Sequence, residues 1–262
     1  MRFAPERDYG PFVFERADGR LDGLSIDMLQ LVQRQAGLTL VTLPARPLQQ
    51  QLDALRDREA DLISSLRATP QRAAFLDFTI PYVSVPAVVV TREGRPARTL
   101  ASLAGRPVGV GQGYAVEAVV RARHPAVAWQ ALPDDEQVLR GVVEGRLDAA
   151  VVDTASLAHL MRQGRMAGLR VAAPADFEYT LSFAVRKDWP ELRDALDAAL
   201  RAIPAAKKLA LVDRWLGTAA GTGSMGRTPW ADRIAWGLLG LAALGAAFLA
   251  AQNARWRRSS PP

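Results

Sequence analysis

The sequence predicts an α/β protein of two similar lobes, followed by one C-terminal transmembrane helix. Apolar strands alternate with amphipathic helices through residues 1–217, the rhythm of mainly parallel sheets with helices on both faces. Two segments in different halves echo each other. LRDREADLISS (55–65) and VVEGRLDAAVVD (142–153) both run helix, polar turn, Asp, then a buried strand with polar residues at its carboxyl end. Finally, 21 consecutive residues, 234–254, carry no charge.

The elements follow in order. Met1–Ala4 reads as a short strand and Pro5–Pro11 as a loop. Phe12–Phe14 and Leu21–Gly23 form a strand pair around the turn Ala17-Asp18-Gly19. Ser25 can cap a helix with Ile26, Leu29 and Val32 on one face, ended by Gly37. A strand at Leu38–Leu43 precedes a helix over Pro47–Arg58, with Leu48, Leu52 and Leu55 at helical spacing. Ala60–Leu66 is a buried strand. Pro107–Val110, Val127–Leu132 and Leu147–Val152 are strands separated by helices at Tyr114–Ala122 and Asp134–Gly145. In such sheets ligands bind beyond the carboxyl ends of strands, so two echoing units suggest two lobes facing one cleft.

Composition narrows the chemistry. The 262 residues contain no cysteine, which excludes disulfides and Cys metal sites, and only two histidines, His124 and His159, which excludes a His-rich metal site. The net charge of +6 comes mostly from arginines scattered along the chain, without the long basic run of a nucleic-acid-binding surface. No nucleic-acid partner, metal or cofactor is expected.

A helix of 21 residues spans about 30 Å, the thickness of a bilayer's hydrocarbon core. Trp230, Trp236 and Trp256 lie near the ends of the 234–254 run, and Arg255, Arg257 and Arg258 follow it. The positive-inside rule then puts 255–262 in the cytoplasm and residues 1–227 outside. The opening MRFAPERDYGPF has no apolar segment of a signal peptide, so either the start lies upstream or the chain is a piece of a longer receptor.

The most informative stretch is SSLRATPQRAAFLDFTIPY, 64–82. Thr69-Pro70 starts a helix with a capping hydroxyl and proline at its first position. Arg72 then falls in the first turn, where a cation is locally unfavourable. A bound carboxylate would relieve the conflict through a bidentate pair; an ordinary pair with a surface acid would serve equally.

With DYGPFVF (8–14), GLSIDML (23–29), ADLISSLRATPQRAAFLDFTIPY (60–82), PVGVGQG (107–113), GRLDAAVVD (145–153) and FAVRKDWPEL (183–192), the chain resembles the family 3 bacterial extracellular solute-binding proteins. These have the periplasmic-binding-protein type II, or Venus flytrap, fold. The resemblance covers about residues 1–217 in the family's order. It implies that Arg72 holds a ligand carboxylate, that the backbone and hydroxyl of Ser65 line the pocket, and that Asp153 takes a ligand ammonium. It also implies that Tyr9 covers the ligand, with Glu6 near an acidic partner position, and that Gly113, Tyr114 and Ala115 form an anion loop in the second lobe. Two departures stand out. The loop usually offers Thr where this chain has Tyr114-Ala115. Arg67 replaces a frequent Ser or Thr, which suggests a more anionic ligand, or a side chain that faces solvent or blocks the pocket.

The resemblance divides the chain into lobe one (1–90 and 184–217), lobe two (91–183), a linker (218–233), the membrane helix (234–254) and a basic tail (255–262). The crossovers near Val88–Arg92 and Tyr179–Ala184 form the hinge. The implied function is extracytoplasmic capture of an amino acid or related carboxylate with lobe closure, as the sensory input of a receptor of the flytrap hybrid histidine kinase type in the bacterial inner membrane. A homodimer is compatible with such a receptor. The alternative is a membrane-tethered substrate-binding protein of an amino-acid ABC transporter, and the third is a prephenate-type dehydratase of the same fold. No catalytic residue is assigned in this segment.

Overall fold

The computed structural model describes residues 1–96 and 98–217. The uncharged run 234–254 lies outside them, and among the described residues no helix is long and apolar enough to cross a membrane. The first half runs β1 (Arg2–Phe3), β2 (Asp8–Tyr9), β3 (Val13–Glu15), β4 (Leu21–Asp22), α1 (Leu24–Ala36), β5 (Val41–Thr42), α2 (Leu48–Arg56), β6 (Leu62–Leu66), α3 (Pro70–Ala73) and β7 (Leu76–Phe78). The long strand β8 (Val83–Arg92) leads to β9 (Pro107–Gly111), α4 (Ala115–Arg123), β10 (Ala128–Leu132), α5 (Asp135–Val143), β11 (Ala149–Asp153) and α6 (Thr154–Arg162). The return strand β12 (Leu169–Arg186) is followed by α7 (Pro190–Ala202) and α8 (Ala205–Leu216).

One sheet runs β10-β9-β11-β8-β12-β6-β1-β5, with β7 also paired to β12, and β2, β3 and β4 form a small antiparallel sheet. Pairing is parallel towards both ends, β10·β9·β11 and β6·β1·β5, as the strand–helix rhythm implies. The middle is antiparallel. β8 pairs with β11 and β12, and β12 also pairs with β6 and β7, so these two strands tie the halves together. Neither was expected as a strand, only as crossovers. Pro86 and Pro174 interrupt the two runs, and proline removes a ladder donor. The structure absorbs the interruption with register shifts between Val171/Ala173 and Pro174/Glu178.

Packing explains why the inner strands are almost wholly apolar. On β8, Val88 and Val90 face a cluster with Val138, Leu139 and Leu157 of α5 and α6, whereas Ala87 and Val89 face the larger core. Ala150 and Val152 of β11 likewise join the smaller cluster, and Ala149 and Val151 the larger. A strand covered on both faces reads as a continuous hydrophobic run.

Two expectations need correction. Ser25 does not cap α1; Gly23 precedes the helix at φ 126°, and a Cβ there would stand 2.3 Å from the Phe12 carbonyl oxygen. Ser25 is buried inside the first turn instead. The strand expected over Leu38–Leu43 shrinks to Val41–Thr42, because at the sheet's margin only β1 pairs with it.

Candidate functional site

Arg72 is positioned by the local structure foreseen from sequence. The Thr69 hydroxyl accepts the Arg72 backbone N–H at 3.2 Å, and Pro70 opens α3. The side chain is 6% exposed. Its guanidinium donates from Nη1 to the Arg67 carbonyl at 2.8 Å and from Nη2 to the Gly113 carbonyl at 2.9 Å. Gly113 belongs to the loop before α4, in the other half of the molecule, so Arg72 spans the cleft. Burial lowers its pKa, opposed chiefly by the nearby Glu6 carboxyl.

A second bridge lies beside the first. The Tyr114 hydroxyl donates to Glu6 Oε1 at 3.1 Å in a buried environment, and its ring stands 5.7 Å from that of Tyr9. Burial raises the Glu6 pKa to about 7, although the Tyr114 hydrogen bond and Arg72 both pull it down. Tyr9, Ser65, Arg67, Arg72 and Tyr114 thus converge on one cavity, with Glu6, Leu48, Leu66, Ala115, Tyr179 and Leu181 completing its wall; Gly113 does not line it. Its free volume is about 20 Å³, enough for a single water.

Several groups expected to face a ligand are engaged by the protein. The Ser65 hydroxyl donates to Ser25 Oγ at 2.8 Å, and its N–H donates to the Tyr82 hydroxyl at 2.8 Å. Ser65, inside β6, also holds a left-handed φ of 58°, uncommon for a residue with a side chain and concentrated at functional sites. Arg67 lines the cavity, but its guanidinium donates to the Glu178 carbonyl and to Thr180 Oγ1 and lies 4.5 Å over the Phe177 ring. It is anchored to the connecting strand β12. The Gly113 N–H donates to Glu117 Oε2 at 2.8 Å.

Asp153 lies apart from the cavity wall. It caps α6, accepting at Oδ1 from the Ala155 and Ser156 N–H groups at 2.9 and 2.8 Å and at Oδ2 from the Ser156 hydroxyl at 2.7 Å. It is fully buried, which raises its pKa against these hydrogen bonds. The Tyr9 hydroxyl, close enough to favour the ionised carboxylate, has no hydrogen-bond partner of good geometry among the described residues.

The profile described as "Bacterial extracellular solute-binding proteins, family 3" matches residues 1–218. The chain belongs to that family. Among relatives, the virulence sensor protein BvgS of Bordetella bronchiseptica is 29% identical over 199 residues, 76% of this chain and 16% of that protein. The chain thus spans less than a fifth of that relative's length. ABC transporter arginine-binding protein 1 of Escherichia coli is 28% identical over 211 residues, 78% of this chain and 85% of that one. Among solved structures, the periplasmic VFT2 domain of Bordetella pertussis BvgS superposes with a TM-score of 0.75 at 26% identity, covering 82% of this chain and 92% of that domain. The family 3 chain therefore has the periplasmic-binding-protein type II fold.

Sequence reasoning did not place Tyr179, Ser25 or Tyr82 at the family 3 cleft. Tyr179 was read only as part of a crossover, yet it is buried in the cavity wall, its hydroxyl unpartnered among the described residues. Ser25 and Tyr82 lie behind Ser65, with their hydroxyls 2.7 Å apart. An isolated Tyr or Ser in a strand or helix gives no spacing signal; only the folded contact reveals it.

Proposed function

We propose that this family 3 module binds a small carboxylate, in the first instance an amino acid, outside the cytoplasmic membrane and passes the resulting lobe movement to a membrane receptor. The buried Arg72 guanidinium at the cleft carries this proposal. A cation in the first turn of a helix, removed from water, is stabilised by anionic or carbonyl oxygens, and here it already gathers two carbonyls from different parts of the chain. A carboxylate offers the same geometry with a full negative charge.

The cavity is too small for an amino acid as it stands, so binding requires the lobes to part and the Tyr114 ring to leave. The ligand therefore competes with the Arg72–Gly113 and Tyr114–Glu6 bridges. Such competition reduces apparent affinity by the fraction of molecules open at any moment. It also couples occupancy to lobe geometry, which is what a sensor needs. The similarity to BvgS, a sensor protein, and the uncharged run at 234–254 favour the signalling role. A transport receptor is the second possibility, favoured by the similarity to an arginine-binding transporter component across 85% of its length.

The test is titration calorimetry of the full chain against the common L-amino acids and dicarboxylates. One of them should bind, and Arg72→Ala should weaken it about 30-fold or more, since removing one partner of a desolvated pair costs about 2–5 kcal/mol. An unchanged dissociation constant in Arg72→Ala would move the carboxylate elsewhere.

A further inference from the structure

Backbone pairing of β6 with β12 ends at Leu66 and Ser182, and the Arg67 side chain carries the contact further along β12. Its Nη1 donates to the Glu178 carbonyl and, at 3.1 Å, to Thr180 Oγ1, while the guanidinium carbon lies 4.5 Å from the centre of the Phe177 ring. Arginine suits this position because its planar head donates within its plane and stacks through its face at the same time, which a lysine ammonium does not. The segment it grips is irregular. β12 shifts register against β8 between Pro174 and Glu178, and Asp176 holds a left-handed φ of 50°. From the other side, Arg123 at the end of α4 donates to the Asp176 carbonyl at 2.7 Å.

These contacts close a circuit through the Arg72 site. Arg72 donates to the Arg67 carbonyl from Nη1 and to the Gly113 carbonyl from Nη2. Gly113 leads into α4, α4 ends at Arg123, Arg123 holds the irregular stretch of β12, and Arg67 holds the same stretch in turn. Arg72 has no hydrogen bond of its own to β12 among the described residues. A change at Arg72 therefore reaches that strand either through Arg67 or round through α4. The α4 route ends in a single exposed hydrogen bond, whereas Arg67 holds β12 at three neighbouring residues.

We propose that Arg67 is a positioning residue that couples the state of Arg72 to the irregular stretch of β12, so that a carboxylate drawn onto Arg72 resets one of the two strands that tie the halves together. Arg67 then contributes no contact to the ligand; it turns the loading of its neighbour's guanidinium into a shift of the connecting strand. The ligand's part in this rests on the carboxylate reading above, while the link from Arg72 through Arg67 to β12 exists without ligand and is testable without it.

Amide hydrogen exchange of the full chain, with no ligand added, reads the link over residues 174–181. Arg67→Ala should speed exchange there about tenfold or more, the effect of losing hydrogen bonds from a charged donor. Arg72→Ala should speed exchange in the same segment without touching it, and in the Arg67→Ala background it should add nothing there. Arg67→Lys, which keeps the charge but not the planar head, should restore only part of the slow exchange. Thr180→Val, a mild change that removes one acceptor and keeps the side chain's shape, should give a smaller acceleration than Arg67→Ala. Strand β10, at the end of the sheet, is the reference and should exchange alike in every variant. Additive effects of the Arg67 and Arg72 changes, no response of 174–181 to Arg72→Ala, or an equal acceleration in β10 would overturn the proposal. Unchanged carboxylate binding in Arg72→Ala would defeat the carboxylate reading alone, so the two failures are distinguishable.

Discussion

The guanidinium of Arg72 in α3 donates to the carbonyl oxygen of Gly113 at 2.9 Å, a hydrogen bond to the loop before α4, 41 residues away in sequence. On the proposed function, closure and carboxylate capture would draw on this same donor; the Tyr114 ring, next to Gly113 in sequence, lines the cavity beside it.

Tyr114→Ala should loosen the cleft. It removes a buried ring and the hydroxyl that reaches Glu6. Truncating a buried aromatic costs about 3–5 kcal/mol, and loss of the bridge should raise the radius of gyration. Chemical denaturation with small-angle scattering reads both. If stability and dimensions match those of the parent, Tyr114 does not hold the halves together.

The Glu6 carboxyl gives a pH signature. Its pKa is raised from 4.5 to about 7, so the folded state holds the proton more tightly than the unfolded chain. The associated stability is fully present below about pH 4.5 and lost as pH rises through 7, roughly 3 kcal/mol in all. Glu6→Gln should abolish this decline while still accepting from Tyr114. Comparing the two melting temperatures from pH 5 to 8 isolates Glu6, because the other titrating groups are common to both. A constant difference between them would mean that Glu6 titrates normally.

Asp153 separates a structural from a ligand role. Asp153→Ala strips the α6 cap and leaves the Ser156 hydroxyl without its acceptor, a loss of about 2 kcal/mol. Asp153→Asn keeps an oxygen for the two backbone donors, and its amide can donate to Ser156, so stability should stay within about 1 kcal/mol of the parent. If Asp153 also takes a ligand ammonium, the Asn variant should lose affinity while remaining stable. Full affinity in the stable Asn variant would leave the cap as its sole role.

Local chemistry was legible in the sequence wherever it depends on near neighbours. Thr69-Pro70 predicted the start of α3, Gly37 the end of α1, and the alternation of apolar runs the outer parallel strands. Hydrogen-bond periodicity and backbone conformational limits act within a few residues, so these features follow from order alone. Of the residues that the family pattern pointed to, Tyr9, Ser65, Arg67, Arg72 and Tyr114 line one cavity while Gly113 and Asp153 do not, and no short-range force links those five. What only the tertiary structure decided is where polar groups distant in sequence meet: Arg67 onto β12, and Ser65 toward Ser25 and Tyr82. Such a hydrogen bond is settled by whichever distant donor or acceptor the fold brings within about 3 Å, and that distance depends on the packing of several elements at once.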